Sequence, residues 1–288
     1  MKRWGRRALR LPVLLKRALM RSLAHDSLNL AQSAAYSAIV ALFPALIVAG
    51  AAVALLPDVA PLKVAIGEFI DRVLPSTVFP LFTGYFVNST ARTHTMRALV
   101  AAAIVSVSGA SSVIATLMEG LRRAARLPEH YWTFWQRRIR AVVLVPLSLL
   151  PLLVATVLVM FGRLMTDWVA ANLATDVRPA IYETALTLRW IVSLTGVAGV
   201  TALVYHMGAP QRGNWVRTLP GAVVATAIWF VTTLVFGWYV TRVANYSQVY
   251  GSLGAGIALL FWLYFVFLSV LVGAEFNAQV AEQEQRNC

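Results

Sequence analysis

Residues 243–274 read VANYSQVYGSLGAGIALLFWLYFVFLSVLVGA, 32 positions between Arg242 and Glu275 without a single Asp, Glu, Lys or Arg. A helix that crosses a bilayer core needs about 20 predominantly apolar residues. This stretch is long enough, and working outward from it finds five more: 27–57 (31 residues), 98–118 (21), 141–162 (22), 190–211 (22) and 218–241 (24). Composition agrees. Hydrophobic residues make up 59% of the 288 and charged residues 13%, against about 45–50% and 25% in a soluble domain. So few charges could not cover a water-facing surface, which excludes an ordinary soluble enzyme or binding module. The fold class expected is all-α: a polytopic membrane protein of six transmembrane helices.

The spans are predicted at 28–56, 98–119, 139–161, 190–207, 219–240 and 253–275. They form a membrane domain over 27–276, preceded by a basic segment, 1–26, and followed by a short tail, 277–288. Lys and Arg collect on the side from which a membrane protein does not translocate its loops. With six spans both termini share a side. That side carries 17 basic and six acidic residues, against eight and six on the other, so the termini are expected in the cytoplasm. Residues 3–23 interleave basic groups with Leu9, Leu11, Val13, Leu15 and Leu19, the pattern of a helix lying in the headgroup layer, with Pro12 as a candidate break. Residues 57–96 contain Pro75, Pro80 and Gly84 among hydroxyl and amide side chains. A lipid-facing helix does not tolerate that many backbone breaks, so short outer-face or re-entrant helices are expected there.

The opening segment lacks the layout of a cleavable signal peptide. Cys288, the only cysteine, permits neither an intramolecular disulfide nor a thiolate metal cluster. A net charge of +13 raises nucleic acid as a partner in a soluble protein. Here its distribution follows topology, and the partners expected are membrane lipids, with anionic headgroups at the cytoplasmic face, and no nucleic acid.

Several motifs carry a family resemblance. Ala34-Ala35-Tyr36-Ser37-Ala38-Ile39-Val40-Ala41-Leu42-Phe43-Pro44 resembles the first-helix signature of the YihY/BrkB family of bacterial inner-membrane proteins. Tyr250-Gly251-Ser252-Leu253-Gly254-Ala255, Trp262-Leu263-Tyr264 and Leu271-Val272-Gly273-Ala274-Glu275 resemble its last-helix signature. Phe134-Trp135-Gln136-Arg137-Arg138 and Pro220-Gly221-Ala222 also fit. The resemblance implies a six-helix protein of the bacterial inner membrane, associated with virulence, with export of lipopolysaccharide precursors, and with an old label of ribonuclease BN. Two positions depart from the family pattern: Ala41, where a serine is usual, and Glu119, where asparagine is common.

The ribonuclease label is poorly matched by the residues. A catalytic divalent ion needs several donors converging on one point. His25, His94, His130 and His206 are scattered, in no His-x-His or His-Glu-x-x-His spacing. No catalytic residue, metal site or cofactor is assigned from sequence. Polarity within the spans is costly and therefore informative. Gln32 and Tyr36 share one side of the first helix, and Ser106, Ser108, Ser111 and Ser112 crowd the second. Close helix packing explains such residues; so does a polar path for a headgroup or ion. Gly196, Gly199, Gly251, Gly254 and Gly256 read as packing residues. Arg122, Arg123, Arg137 and Arg138 make a basic rim able to hold an acidic headgroup, though arginines there also serve simply as topology signals paired with lipid or a glutamate. Glu119 and Glu275, both at cytoplasmic helix ends, are the possible titrating groups of an ion-coupled transporter. The leading expectation is a non-enzymatic protein that binds or moves an amphiphile in envelope biogenesis. Small-solute transport and a purely structural or regulatory role are the alternatives.

Overall fold

A computed structural model describes residues 11–54, 92–128, 131–151, 178–208, 215–242 and 253–286. Among them every regular element is helical. They are α1 (Leu11–Ala24), α2 (Ser27–Ala54), α3 (Arg92–Ala124), α4 (134–151), α5 (Arg178–Gly208), α6 (Leu219–Arg242, entered through a single 3₁₀ turn, Trp215–Arg217) and α7 (Leu253–Arg286). Five segments are long and apolar enough to cross a membrane: Ser27–Val48, Met96–Ala124, Tyr182–Gly208, Trp215–Val240 and Gly256–Gln285. The remaining expected span, 139–161, is helical as far as 151, and its second half lies outside the described residues. So does most of the 57–96 segment, of which only 92–96 is described, as the start of α3.

Local chemistry sets the element boundaries at the basic end of the bundle. α1 runs unbroken to Ala24 because Pro12 falls in its first turn, where no intrahelical N–H is lost. Asp26 adopts φ 63° and separates α1 from α2. α3 closes with the Leu127 N–H on the Arg122 carbonyl (3.1 Å) and the Arg126 N–H on the Arg123 carbonyl (3.0 Å), with Arg126 at φ 52°. That is a Schellman stop followed by Pro128. α7 does not end near Glu275. It continues as helix to Arg286, and the expected tail begins with two buried side chains, Asn277 and Gln279.

Packing is built around α7 and small residues. Ala31 and Ala34 of α2, Val113 and Leu117 of α3 and Leu271 of α7 form one buried cluster. Leu14 and Ala18 of α1 close on Phe276. Tyr205, Ala222, Ala225 and Ala274 join α5, α6 and α7. With no difference in hydrophobicity between lipid tails and side chains to drive association, close backbone approach does that work. A Cβ on Gly109 would lie 2.6 Å from the Ala41 Cβ, and one on Gly273 would lie 2.5 Å from the Gly221 carbonyl oxygen. Of the glycines expected to pack, Gly199 and Gly256 have no such role among the described residues, since a Cβ on either would meet nothing within 4 Å, whereas Gly254 is buried.

Candidate functional site: a charged network at the basic end

The ends of α1, α3 and α7 and the start of α4 gather a set of ion pairs at one end of the bundle. Glu119, in the last turns of α3, is its hub. Arg122 donates to both carboxylate oxygens, Nη2 to Oε1 at 2.7 Å and Nε to Oε2 at 3.0 Å. Arg123 adds Nε to Oε1 at 3.0 Å. The spacing explains both contacts, since residues three and four apart share a helix face. Arg137, from the first turn of α4, stands 3.7 Å from Oε2 with a substantially exposed side chain. Two members of the expected rim are thus engaged by Glu119, and the third is held loosely.

Arg138 points the other way. Its guanidinium donates to Ser112 Oγ at 3.2 Å and Ser108 Oγ at 2.9 Å. Along α3, Ser108 lies about 16 Å from Glu119 at 1.5 Å per residue, well inside the apolar segment Met96–Ala124. Arg138 makes no ion pair with a carboxylate among the described residues. The rim and the serine run are therefore joined through one side chain, a contact that no sequence spacing signals.

Other members of the expected path are placed differently. Ser111 is fully buried and turns onto the Ser108 carbonyl at 2.9 Å, as Ser112 does. Gln32 and Tyr36 are exposed on α2, Tyr36 by 67%. No hydrogen bond joins either of them, or Ser106, to the serine run among the described residues. Aromatic rings crowd the entry to α4. Trp132 lies under Arg140, 3.6 Å from its centroid, and Phe134 stacks edge-on against Trp135. A cavity of about 230 Å³ is lined by Met118, Glu119, Arg122, Trp132, Phe134 and Arg137. It has room for a phosphate-sized group and is smaller than a typical small-molecule pocket.

Glu275 forms a second centre. It is 1% exposed on α7, and its Oε1 lies 2.5 Å from His25 Nδ1 at the α1–α2 junction. Oε2 has no hydrogen-bond partner among the described residues. Arg123 reaches the His25 carbonyl (3.4 Å) and Asp26 (3.5 Å), linking this pair to Glu119. In the sequence His25 is one of four scattered histidines, and nothing there signals the pairing, which spans 250 positions. Nearby, Arg21 grips Glu282 through both oxygens at 2.7 and 3.0 Å, and hydrogen bonding to that carboxylate holds the guanidinium above its ordinary pKa. Among the described residues no three His, Cys, Asp or Glu side chains gather as a metal site.

A helical bundle with five bilayer-length apolar segments and a charged network at one end defines a multi-pass membrane protein. The chain belongs to the family described as virulence factor BrkB, whose model matches residues 18–287. It is 27% identical over 275 residues to YfkH of Bacillus subtilis, named as ribonuclease-like, covering 94% of this chain and 96% of that one. It is 26% identical over 183 residues to a Vibrio cholerae protein of the UPF0761 membrane group, and 26% identical over 263 residues to one from Chlorobium chlorochromatii. Those matches cover 60% and 57% of the two longer relatives. No solved structure is similar enough to match.

Proposed function

We propose that this protein is a six-span inner-membrane protein with cytoplasmic termini that binds or translocates an amphiphile with an acidic headgroup, without catalysing a reaction. In this reading the class is a phospholipid or a lipid-linked saccharide precursor of envelope biogenesis. α1 lies in the inner headgroup layer, and the network at Glu119 faces the cytoplasm. The basic asymmetry of the loops supports that orientation.

The observation that carries the proposal is Arg138. A guanidinium at membrane depth is expensive and marks a pathway more often than a packing solution. Here it is held by two serine hydroxyls, with no carboxylate neutralising it among the described residues. Its planar fork suits a phosphate. Arg137, loosely tied to Glu119, is the group from which a headgroup passes to Arg138. Arg122 and Arg123 keep Glu119 neutralised while that happens. Ser108 and Ser112 exchange their bonds between guanidinium and headgroup; Ser111, buried on the Ser108 carbonyl, supports that turn of α3, and Gln32, Tyr36 and Ser106 would contribute only along a separate stretch of the route.

The test is translocation of headgroup-labelled anionic and zwitterionic phospholipids in proteoliposomes, scored by external quenching. Acceleration over protein-free vesicles that is lost in Arg138→Ala and retained in Arg138→Lys supports the reading. Acceleration unaffected by Arg138→Ala refutes the role of Arg138. No acceleration with folded, inserted protein refutes unassisted phospholipid movement.

The buried His25–Glu275 pair favours one alternative, an ion-coupled transporter in which Glu275 exchanges protons. That reading requires pH-dependent flux abolished by Glu275→Gln. Glu119, held by two close arginines, is the poorer candidate for that work. Polar-to-alanine changes that alter stability alone would leave a structural role.

A further inference from the structure

A second site borders these ion pairs at Arg21 and Glu282, between α1 and the last turns of α7. Pro12, Val13, Lys16, Arg17, Met20 and Arg21 occupy one side of α1 at successive helical turns. Gln279, Glu282 and Gln283 of α7 face them across an open groove of about 850 Å³. The two halves of its lining make opposite demands.

The charged half is unbalanced. Glu282, the acidic group in the lining, is shared between Arg21 at 2.7 Å and Arg126 at 3.4 Å. Lys16 and Arg17 have no carboxylate partner among the described residues, and both are exposed. The apolar half is equally uncompensated. Leu14 and Ala18 bury one side of α1 on Phe276, yet Val13, Leu19, Met20 and Leu23 remain 46–62% exposed on the same short helix. An acidic peptide or a free anion would answer the cations and leave those side chains in water. A lipid answers both: acyl chain against Val13 and Met20, phosphate against Lys16 and Arg17.

We infer that this groove is a binding site for an anionic phospholipid, which fastens α1 to the end of α7. The site is independent of Arg138 and does not depend on any transport activity. The lysine and arginine stems lie along the apolar wall while their heads reach the phosphate, as long basic side chains do at interfaces. Gln279 and Gln283 supply further polar groups for the headgroup.

The experiment is native mass spectrometry and thermal unfolding of the full chain in detergent, titrated with phosphatidylglycerol, phosphatidylcholine or soluble glycerol phosphate. Phosphatidylglycerol is expected to form a retained adduct and raise the unfolding midpoint. Lys16→Ala/Arg17→Ala should weaken that binding by roughly 20- to 30-fold, from two basic groups near an anionic surface. Lys16→Arg/Arg17→Lys should restore it. Both alanine positions are exposed and unpaired, and an unchanged midpoint without lipid confirms that the variant is folded. Equal binding of phosphatidylcholine, full replacement by glycerol phosphate, or undiminished phosphatidylglycerol binding by the double alanine variant would each overturn the assignment.

Discussion

Removing His25 offers the sharpest test of how the basic end is held. The Glu275 carboxylate is 1% exposed, one oxygen is 2.5 Å from the imidazole, and the other has no partner among the described residues. His25→Ala therefore removes the partner of Oε1 and leaves a buried carboxylate without a hydrogen-bond donor among those residues. Breaking a buried pair by deleting one partner costs about 3–5 kcal/mol. The His25 side chain is 26% exposed, so water enters part of the vacated space and the lower end applies. We expect about 3 kcal/mol, a shift of roughly 150-fold in the folded-to-unfolded ratio. Replacing both partners should behave differently: His25→Leu/Glu275→Leu removes the buried charge with its partner and should fall within about 1 kcal/mol of the parent. The assay is reversible unfolding in mixed micelles, followed by tryptophan fluorescence. A loss below about 1 kcal/mol in His25→Ala, or a double variant as unstable as the single one, would refute the view that Glu275 depends on His25.

Further outcomes follow from other contacts. Gly221→Ala drives a Cβ into the Gly273 carbonyl oxygen and the Asn277 amide; it should destabilise by about 1–3 kcal/mol or more, since backbone cannot step aside. Gly199→Ala, with nothing within 4 Å, should be neutral or gain up to about 1 kcal/mol of helix propensity in the same micelle titration. Asn277→Leu removes the acceptor of the Gly221 N–H, now held at 2.7 Å, and leaves the Thr218 carbonyl with the Ala222 N–H alone. About 2 kcal/mol of lost stability and faster amide exchange at Gly221 are expected. Arg126→Gly places at the Schellman position the residue that suits φ 52°. It forfeits only a largely exposed ion pair with Glu282, so the unfolding midpoint should hold or rise.

The sequence exposes the membrane-crossing segments because desolvation is a one-dimensional signal: a charge placed in lipid is costly wherever the helix sits, so gaps between charges mark spans. Helix ends are less visible. α3 starts at Arg92 and α7 runs on to Arg286 because polar residues continue a helix beyond its apolar part at no cost. The arginines beside Glu119 are legible from their i+3 and i+4 spacing. Arg138 on Ser108 and Ser112, and His25 on Glu275, are not. Each depends on how two helices rotate and slide against one another, which no local pattern encodes. The readings of Gly199 and Gly256 fail for the same reason: Gly221 and Gly273 matter because they face each other across two helices, while Gly199 and Gly256 face no neighbour among the described residues.

The position of α7 in three of the four buried clusters has a consequence for biosynthesis. Leu271, Ala274 and Phe276 complete contacts whose other members lie in α1, α2, α3, α5 and α6. Those helices leave the ribosome before α7 and enter the bilayer with the faces that meet α7 unmated. The keystone is translated after all of them. Until it arrives α2 and α3 can pack on each other through Gly109 and Ala41, but α1, α2 and α6 lack the helix that joins them, which leaves the chain open to chaperones and membrane proteases. A premature stop upstream of Leu271 should therefore yield an inserted chain that is rapidly degraded.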